Sequence, residues 1–239
     1  GKVVAFTGRI LPWNDSTNVG KYVNSPETPI FQKSKVLYGF HKTKGDIREA
    51  RTAVLVEGQM DLLMMWQAGI KNVVATSGTA LTNDHLVILQ RLVDELILSF
   101  DSDEAGQAAA ERAIDLANAH DFSVKLLVID DPKLKDPADV VKAKPGHVAE
   151  LVEKAKPAME YYFHKYMKDI PDDLKQKNQR VNILLKKIQI LPSQVYQSHW
   201  LNELSYRAKI SEEKINTAFD KIKPLSTAPA SATFIGKIP

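Results

Sequence analysis

Two short apolar runs, each stopping abruptly at carboxylates and a glycine, constrain this chain more than any other feature. The first is Ala53-Val54-Leu55-Val56, followed by Glu57-Gly58-Gln59-Met60-Asp61. The second is Leu96-Ile97-Leu98-Ser99-Phe100, followed by Asp101-Ser102-Asp103-Glu104-Ala105-Gly106. An amphipathic helical pattern follows each. Short apolar runs that alternate with helical segments are the signature of buried strands in a parallel sheet. In an open α/β sheet, ligands sit beyond the carboxyl ends of the strands, and both acidic groups fall at that edge. Acids gathered there repel one another unless a cation joins them, and oxygen ligands suit Mg2+ or Mn2+. The competing reading is that they are helix N-caps, where Asp and Ser are favoured and negative charge is stabilising.

The alternation predicts strands at 53–56, 72–76, 95–100 and 124–129, with helices near 59–69, 83–92 and 104–120. Met60, Met64 and Met65 are expected to pack the first of these helices against the sheet, and His85 is expected to be structural. A short helix is expected after Asp136-Pro137, because proline suits a first helical turn. Residues 1–50 read as turns and short strands, punctuated by Asn14-Asp15-Ser16 and Asn24-Ser25-Pro26. Beyond Gly146 the strand alternation is expected to cease, leaving antiparallel helices broken by Pro157, Pro171, Pro192 and Pro224. Tyr161, Tyr162, Phe163 and Tyr166 lie there at helix-packing spacing, although aromatics beside lysines also bind single strands by stacking. The stretch Ser226-Thr227-Ala228-Pro229-Ala230-Ser231 has linker composition.

With 239 residues, 44% of them hydrophobic, the chain can bury one large core or two small ones. The lack of cysteine removes disulfides and cysteine-ligated zinc from this segment, and fits a reducing cytoplasm. No apolar run is long enough to span a bilayer. The net charge of +3 permits nucleic-acid binding without arguing for it.

Glu-Gly at one strand end and Asp-x-Asp two strands later resemble the TOPRIM domain of primases and topoisomerases. Lys21-Tyr22-Val23-Asn24-Ser25-Pro26-Glu27-Thr28-Pro29-Ile30-Phe31-Gln32-Lys33, Leu37-Tyr38-Gly39, Ala75-Thr76-Ser77-Gly78-Thr79-Ala80-Leu81-Thr82 and Phe100-Asp101-Ser102-Asp103-Glu104-Ala105-Gly106 resemble the bacterial DnaG-type replicative primases. These motifs run in the primase order across the first three fifths of the chain. The resemblance implies an α/β fold: a mainly parallel TOPRIM sheet flanked by helices, then a helical subdomain. It sets the organisation as 1–50, the end of an N-terminal core subdomain; 51–145, the TOPRIM domain; 146–225, the helical subdomain; and 226–239, a linker. It also implies a fragment of a longer cytoplasmic primosome protein. A zinc-binding domain would precede it, and a helicase-interaction domain would follow it.

What the resemblance implies chemically is DNA-directed synthesis of RNA primers from ribonucleoside triphosphates on a single-stranded DNA template, by a protein expected to be monomeric as this fragment. Glu57, Asp61, Asp101 and Asp103 would be catalytic. Glu57, Asp101, Asp103 and Asp136 would hold Mg2+ or Mn2+. Ala138 stands where the primase pattern has a further acid, and Asp139, one position late, either substitutes or faces solvent. Arg9, Lys21, Lys33, Asn24, Gly78 and Thr79 would contact nucleotide or template. Gly58 is expected to let the backbone turn sharply and approach the site. Gln59 replaces a usual tyrosine and cannot stack as a ring does. Two rivals remain at this point: a TOPRIM enzyme that cleaves DNA, and a non-catalytic module that binds metal and nucleic acid.

Overall fold

Two three-residue strands, β1 (Thr7–Arg9) and β2 (Tyr22–Asn24), pair antiparallel near the start of the chain, with Thr7 opposite Asn24. The computed structural model describes residues 1–10, 22–100, 104–131, 133–169 and 173–222; Trp13 and the expected linker lie outside them. A 3-10 turn at Lys33–Lys35 leads into helix α1 (Phe40–Ala50). Sequence reading gave turns and strands here and missed this helix. Its inward residues, Thr43 and Ile47, are one turn apart and only one is apolar, while Gly45 weakens helix propensity. The apolar stripe is too thin to register as a period.

The alternation then proceeds as β3 (Thr52–Val56), α2 (Gln59–Gln67), β4 (Val73–Ala75), α3 (Asn83–Gln90), β5 (Glu95–Ser99), α4 (Glu104–Ala119) and β6 (Ser123–Leu126). Two short helices follow, α5 (Pro137–Ala143) and α6 (His147–Glu153). The sheet order is β4-β3-β5-β6-β7, parallel through β6. Strand β7 (Lys156–Pro157) joins antiparallel to β6. The expectation that strands end at Gly146 is therefore corrected. Two residues carry no readable period, and the proline sits on the sheet edge, where a missing N–H is tolerated.

Burial follows from two-sided cover. Val54, Val56 and Ile97 pack with Leu62 and Met65 of α2 and Val140 and Val141 of α5. The alternate residues Ala53, Leu55, Leu96 and Leu98 are equally buried, since successive side chains point to opposite faces, and α4 packs on β5 and β6. Met65 and Met64 meet the core as expected. Met60 does not: it is 42% exposed, because it stands on the first turn of α2, beyond the edge of the sheet.

His85 is fully buried on α3. Its backbone N–H donates to the Thr82 hydroxyl that caps the helix, and Nε2 lies 3.0 Å from the Lys33 carbonyl, to which a neutral ring donates. Burial pushes the His85 pKa down against the raising effects of the Lys33 and Val36 backbone and of nearby Asp84. The unfolded chain thus protonates at His85 first, so stability falls as the pH drops below the ordinary imidazole value of about 6.5. The wild type should lose stability as the pH falls below about 6.5, with an extra slope of up to about 1.4 kcal/mol per pH unit. His85→Gln, which keeps a donor for Lys33, should lose that component. Parallel melting curves for the two proteins across this range would expose a wrong assignment.

The chain divides into two compact units at Ala158. The second is helical: α7 (Ala158–Met167), α8 (Leu174–Gln189), α9 (Gln194–Ala208) and α10 (Glu212–Asp220). Tyr162 and Phe163 are fully buried, and Phe163 stacks on Trp200 with ring centroids 5.4 Å apart. The packing reading of that aromatic cluster holds for these two residues.

Candidate active site

Strand β3 has β4 on one side and β5 on the other. The chain leaves β3 toward β4 and leaves β5 toward β6, in opposite directions across the sheet. Right-handed crossovers then put α2 and α4 on opposite faces, and a crevice opens beyond the carboxyl ends of β3 and β5. Glu57 immediately follows β3, and Phe100 immediately follows β5. A cavity of about 780 Å3 opens there. Glu57, Asp61, Asp136, Asn24, Gly78 and Thr79 all line it, so six of the expected site residues, drawn from four stretches of chain, meet in one place.

The acids have distinct surroundings. Glu57 is half-buried, with its Oε1 enclosed by protein. Its carbonyl accepts the Ser77 N–H at 3.0 Å. Asp61 is only 7% exposed. One carboxylate oxygen, Oδ2, accepts the Gly58 N–H at 3.2 Å, closing half of a capping box at the start of α2. The other, Oδ1, accepts the Ala138 N–H at 3.2 Å. An acid in a first helical turn is commonly solvated; the burial of Asp61 excludes that here. Gly58 is extended, with φ −96°, so it is not needed for a sharp turn. It is needed for space: a Cβ there would stand 2.5 Å from Asp61 Oδ2.

Asp136 is both N-cap and cavity residue. Its Oδ1 accepts the Asp139 N–H at 2.8 Å at the head of α5. Asp139 is turned to other uses. Its Oδ2 accepts the Lys135 N–H at 3.4 Å, its Oδ1 lies 3.5 Å from Lys142 Nζ, and it is not among the cavity's lining residues. Ala138 is 3% exposed. An acid there would be buried close to the Asp61 carboxylate, where like charges repel.

The opposite lip is the turn after β4. Ser77 and Gly78 both have positive φ, 58° and 80°, and Ser77 is a non-glycine residue in a conformation that costs energy. Three hydrogen bonds hold it. Its N–H reaches Glu57, its carbonyl accepts from Asn24 Nδ2 at 3.2 Å, and its hydroxyl oxygen accepts from the Gln59 side-chain amide. Gln59, standing where an aromatic ring was expected, is thus a tether for the turn. Asn24 is a second tether, reaching across 53 positions of sequence.

The expected cations are less convergent. Arg9 lies 5.8 Å from the Tyr22 ring centroid and does not line the cavity. Lys33 lines a neighbouring cavity of about 630 Å3, which shares Asn24, Gln59 and Ser77 with the first. Lys21, Asp101 and Asp103 lie outside the described residues. Among the described residues no three His, Asp or Glu side chains form a ready metal cluster. Sequence reading passed over one wall: Ala109, Arg112, Ala113 and Leu116 line the cavity from α4, at a spacing that marks a single helix face.

A Toprim-like family matches residues 54–141, and the family described as the DNA primase catalytic core, N-terminal domain, matches residues 1–44. The crystal structure of a DNA primase domain from Pseudomonas aeruginosa superposes with a TM-score of 0.75 at 31% identity, covering 91% of this chain and 68% of that one. The chain belongs to the bacterial DnaG-type primase family. The DNA primase of Enterococcus faecalis is 30% identical over 231 residues, 93% of this chain and 36% of that protein. The DNA primase of Pseudomonas aeruginosa is 38% identical over 172 residues, 70% of this chain and 25% of that protein. The chain therefore spans about a quarter to a third of these two primases. A DnaG primase catalytic domain bound to single-stranded DNA superposes with a TM-score of 0.75 at 29% identity, covering 89% of this chain and 67% of that one. Of the two departures from the primase pattern, Gln59 tethers Ser77; the structure gives no reason for alanine at 138, whose backbone N–H to Asp61 any residue but proline would supply.

Proposed function

We propose that this chain is the nucleotidyl-transfer core of a primase, acting on ribonucleoside triphosphates over a single-stranded DNA template. The observation that carries the reading is the meeting of Glu57 and Asp136 in one cavity at the strand-order switch of the sheet. Their oxygen donors suit Mg2+ or Mn2+, and Asp101 and Asp103 would complete the set from the end of β5. The ion, when bound, would activate the attacking hydroxyl and neutralise the departing pyrophosphate. Glu57 would accept the proton of the attacking ribose hydroxyl. Asp61 keeps the heads of α2 and α5 in register beside Asp136. The Ser77-Gly78-Thr79 turn orients phosphate at the opposite lip, and Lys33 supplies positive charge from the adjoining cavity. Arg9 and Lys21 would contact nucleotide or template.

The DNA-bound catalytic domain of a relative supports a template partner. Contact with a replicative helicase would be made by a part of the protein beyond this chain. No helix among the described residues is long and apolar enough to cross a membrane. Neither rival reading is favoured, since the relatives and the superposed structures are primases.

The test is Mg2+-dependent incorporation of ribonucleotides on single-stranded DNA by the full-length protein that carries this chain. RNA oligomers of defined length are the expected product. DNA cleavage, or binding without incorporation, would select one of the rivals instead.

A further inference from the structure

Arg112 is the single Lys or Arg among the described residues that line the cavity, whose walls also carry Glu57, Asp61 and Asp136. It lies on the exposed side of α4. Its neighbours on that wall are Ala109 and Ala113, one turn before it and one residue after it. Both side chains are short, so they leave the guanidinium room to reach into the cavity. No hydrogen bond or ion pair to a described residue holds it there. Arg51, by contrast, is tied to Asp94.

A cavity with acids on one wall and a lone guanidinium on another selects its ligand. A bare anion is repelled by the acids, and a bare cation leaves Arg112 unanswered. An anion that arrives with a divalent cation satisfies both walls. Guanidinium presents a planar fork that matches two oxygens of one phosphate. We propose that Arg112 grips a phosphate group inside this cavity and so positions the phosphate-bearing reactant. The inference deepens the nucleotidyl-transfer reading above and rests on it. The phosphate belongs either to the nucleoside triphosphate or to the nucleic-acid backbone.

The experiment uses the full-length protein with Glu57→Gln, which removes turnover, and compares Arg112, Arg112→Ala and Arg112→Lys. ATP with Mg2+ is titrated by calorimetry, and single-stranded oligonucleotide is titrated across a salt series. The Ala variant should lose at least about tenfold in affinity for one of them, and Lys, a point charge without the fork, should restore only part. Loss confined to ATP places the phosphate on the nucleotide. Loss confined to the oligonucleotide, with a salt slope smaller by about one unit, places it on the backbone. Unchanged affinity for both overturns the proposal. If the Ala variant melts early, the Lys variant, which keeps most of the aliphatic stem, gives the same comparison. Failure of the Glu57-intact protein to make primers, with Arg112-dependent phosphate binding preserved, would remove the nucleotidyl-transfer reading and leave the Arg112 assignment standing.

Discussion

Glu57→Gln in the full-length protein should cut primer synthesis at least about a hundredfold, because even outer partners of a bound metal ion cost about 10–100-fold when removed. Glutamine keeps the shape and loses the charge. Glu57 is half-buried, closes β3 and lines the cavity with Asp136. Its carbonyl contact to Ser77 is backbone and survives the change. The folded protein should therefore melt at or above the wild-type temperature, since removing one of several neighbouring carboxylates relieves repulsion. Calorimetric titration with Mn2+ should show weaker binding. Wild-type primer yield from this variant would remove Glu57 from the chemistry, and loss of folding would assign it a structural part instead.

Asp61→Ala should act in the opposite manner, on stability before chemistry. Its carboxylate answers two backbone N–H groups, from Gly58 and from Ala138. Hydrogen bonds to a charged group are worth about 1.5–3 kcal/mol, and a buried donor left without a partner costs about 1–3 kcal/mol. The expected loss is about 3 kcal/mol or more, read by denaturant unfolding. Asp61→Asn should fall between, because an amide offers one acceptor where two are used. Gly58→Ala should reproduce part of the loss by crowding Asp61 Oδ2. If Asp61→Ala unfolds at the wild-type denaturant concentration, the bridge is not what holds these two helix heads.

The sheet was legible in the sequence because fully buried parallel strands have no polar face to dilute the apolar run. Each of the four expected strands is present, with ends differing by at most three residues. Strand β7 and helix α1 were not legible. The first is two residues long, and the second buries only Thr43 and Ile47. At the site, Glu57 was legible from its place at a strand end, whereas Gly78, Thr79 and Asp136 were named through the primase resemblance. The roles of Asp61 and Asn24 were not legible, because each partner is a backbone group far along the chain. Backbone N–H and C=O groups are the same at every residue, so no sequence pattern marks which one a side chain will meet. Arg112 was hidden by composition: one arginine in an alanine-rich helix looks like a solvated surface cation until the cavity beside it is seen.

The link from Asp61 to Ala138 spans 77 positions, and this has a kinetic consequence. The parallel sheet core can be assembled by β3, β4 and β5 before residue 138 has taken its place, whereas the mouth of the cavity cannot. Closing so long a loop is entropically costly. The acidic rim should therefore be fixed after β3, β4 and β5 have paired. Native-state hydrogen exchange should find the Gly58 and Ala138 amides exchanging together, through one shared opening shallower than that of the β3 amides. A chain built this way would open at the mouth of its cavity before it opened at its sheet.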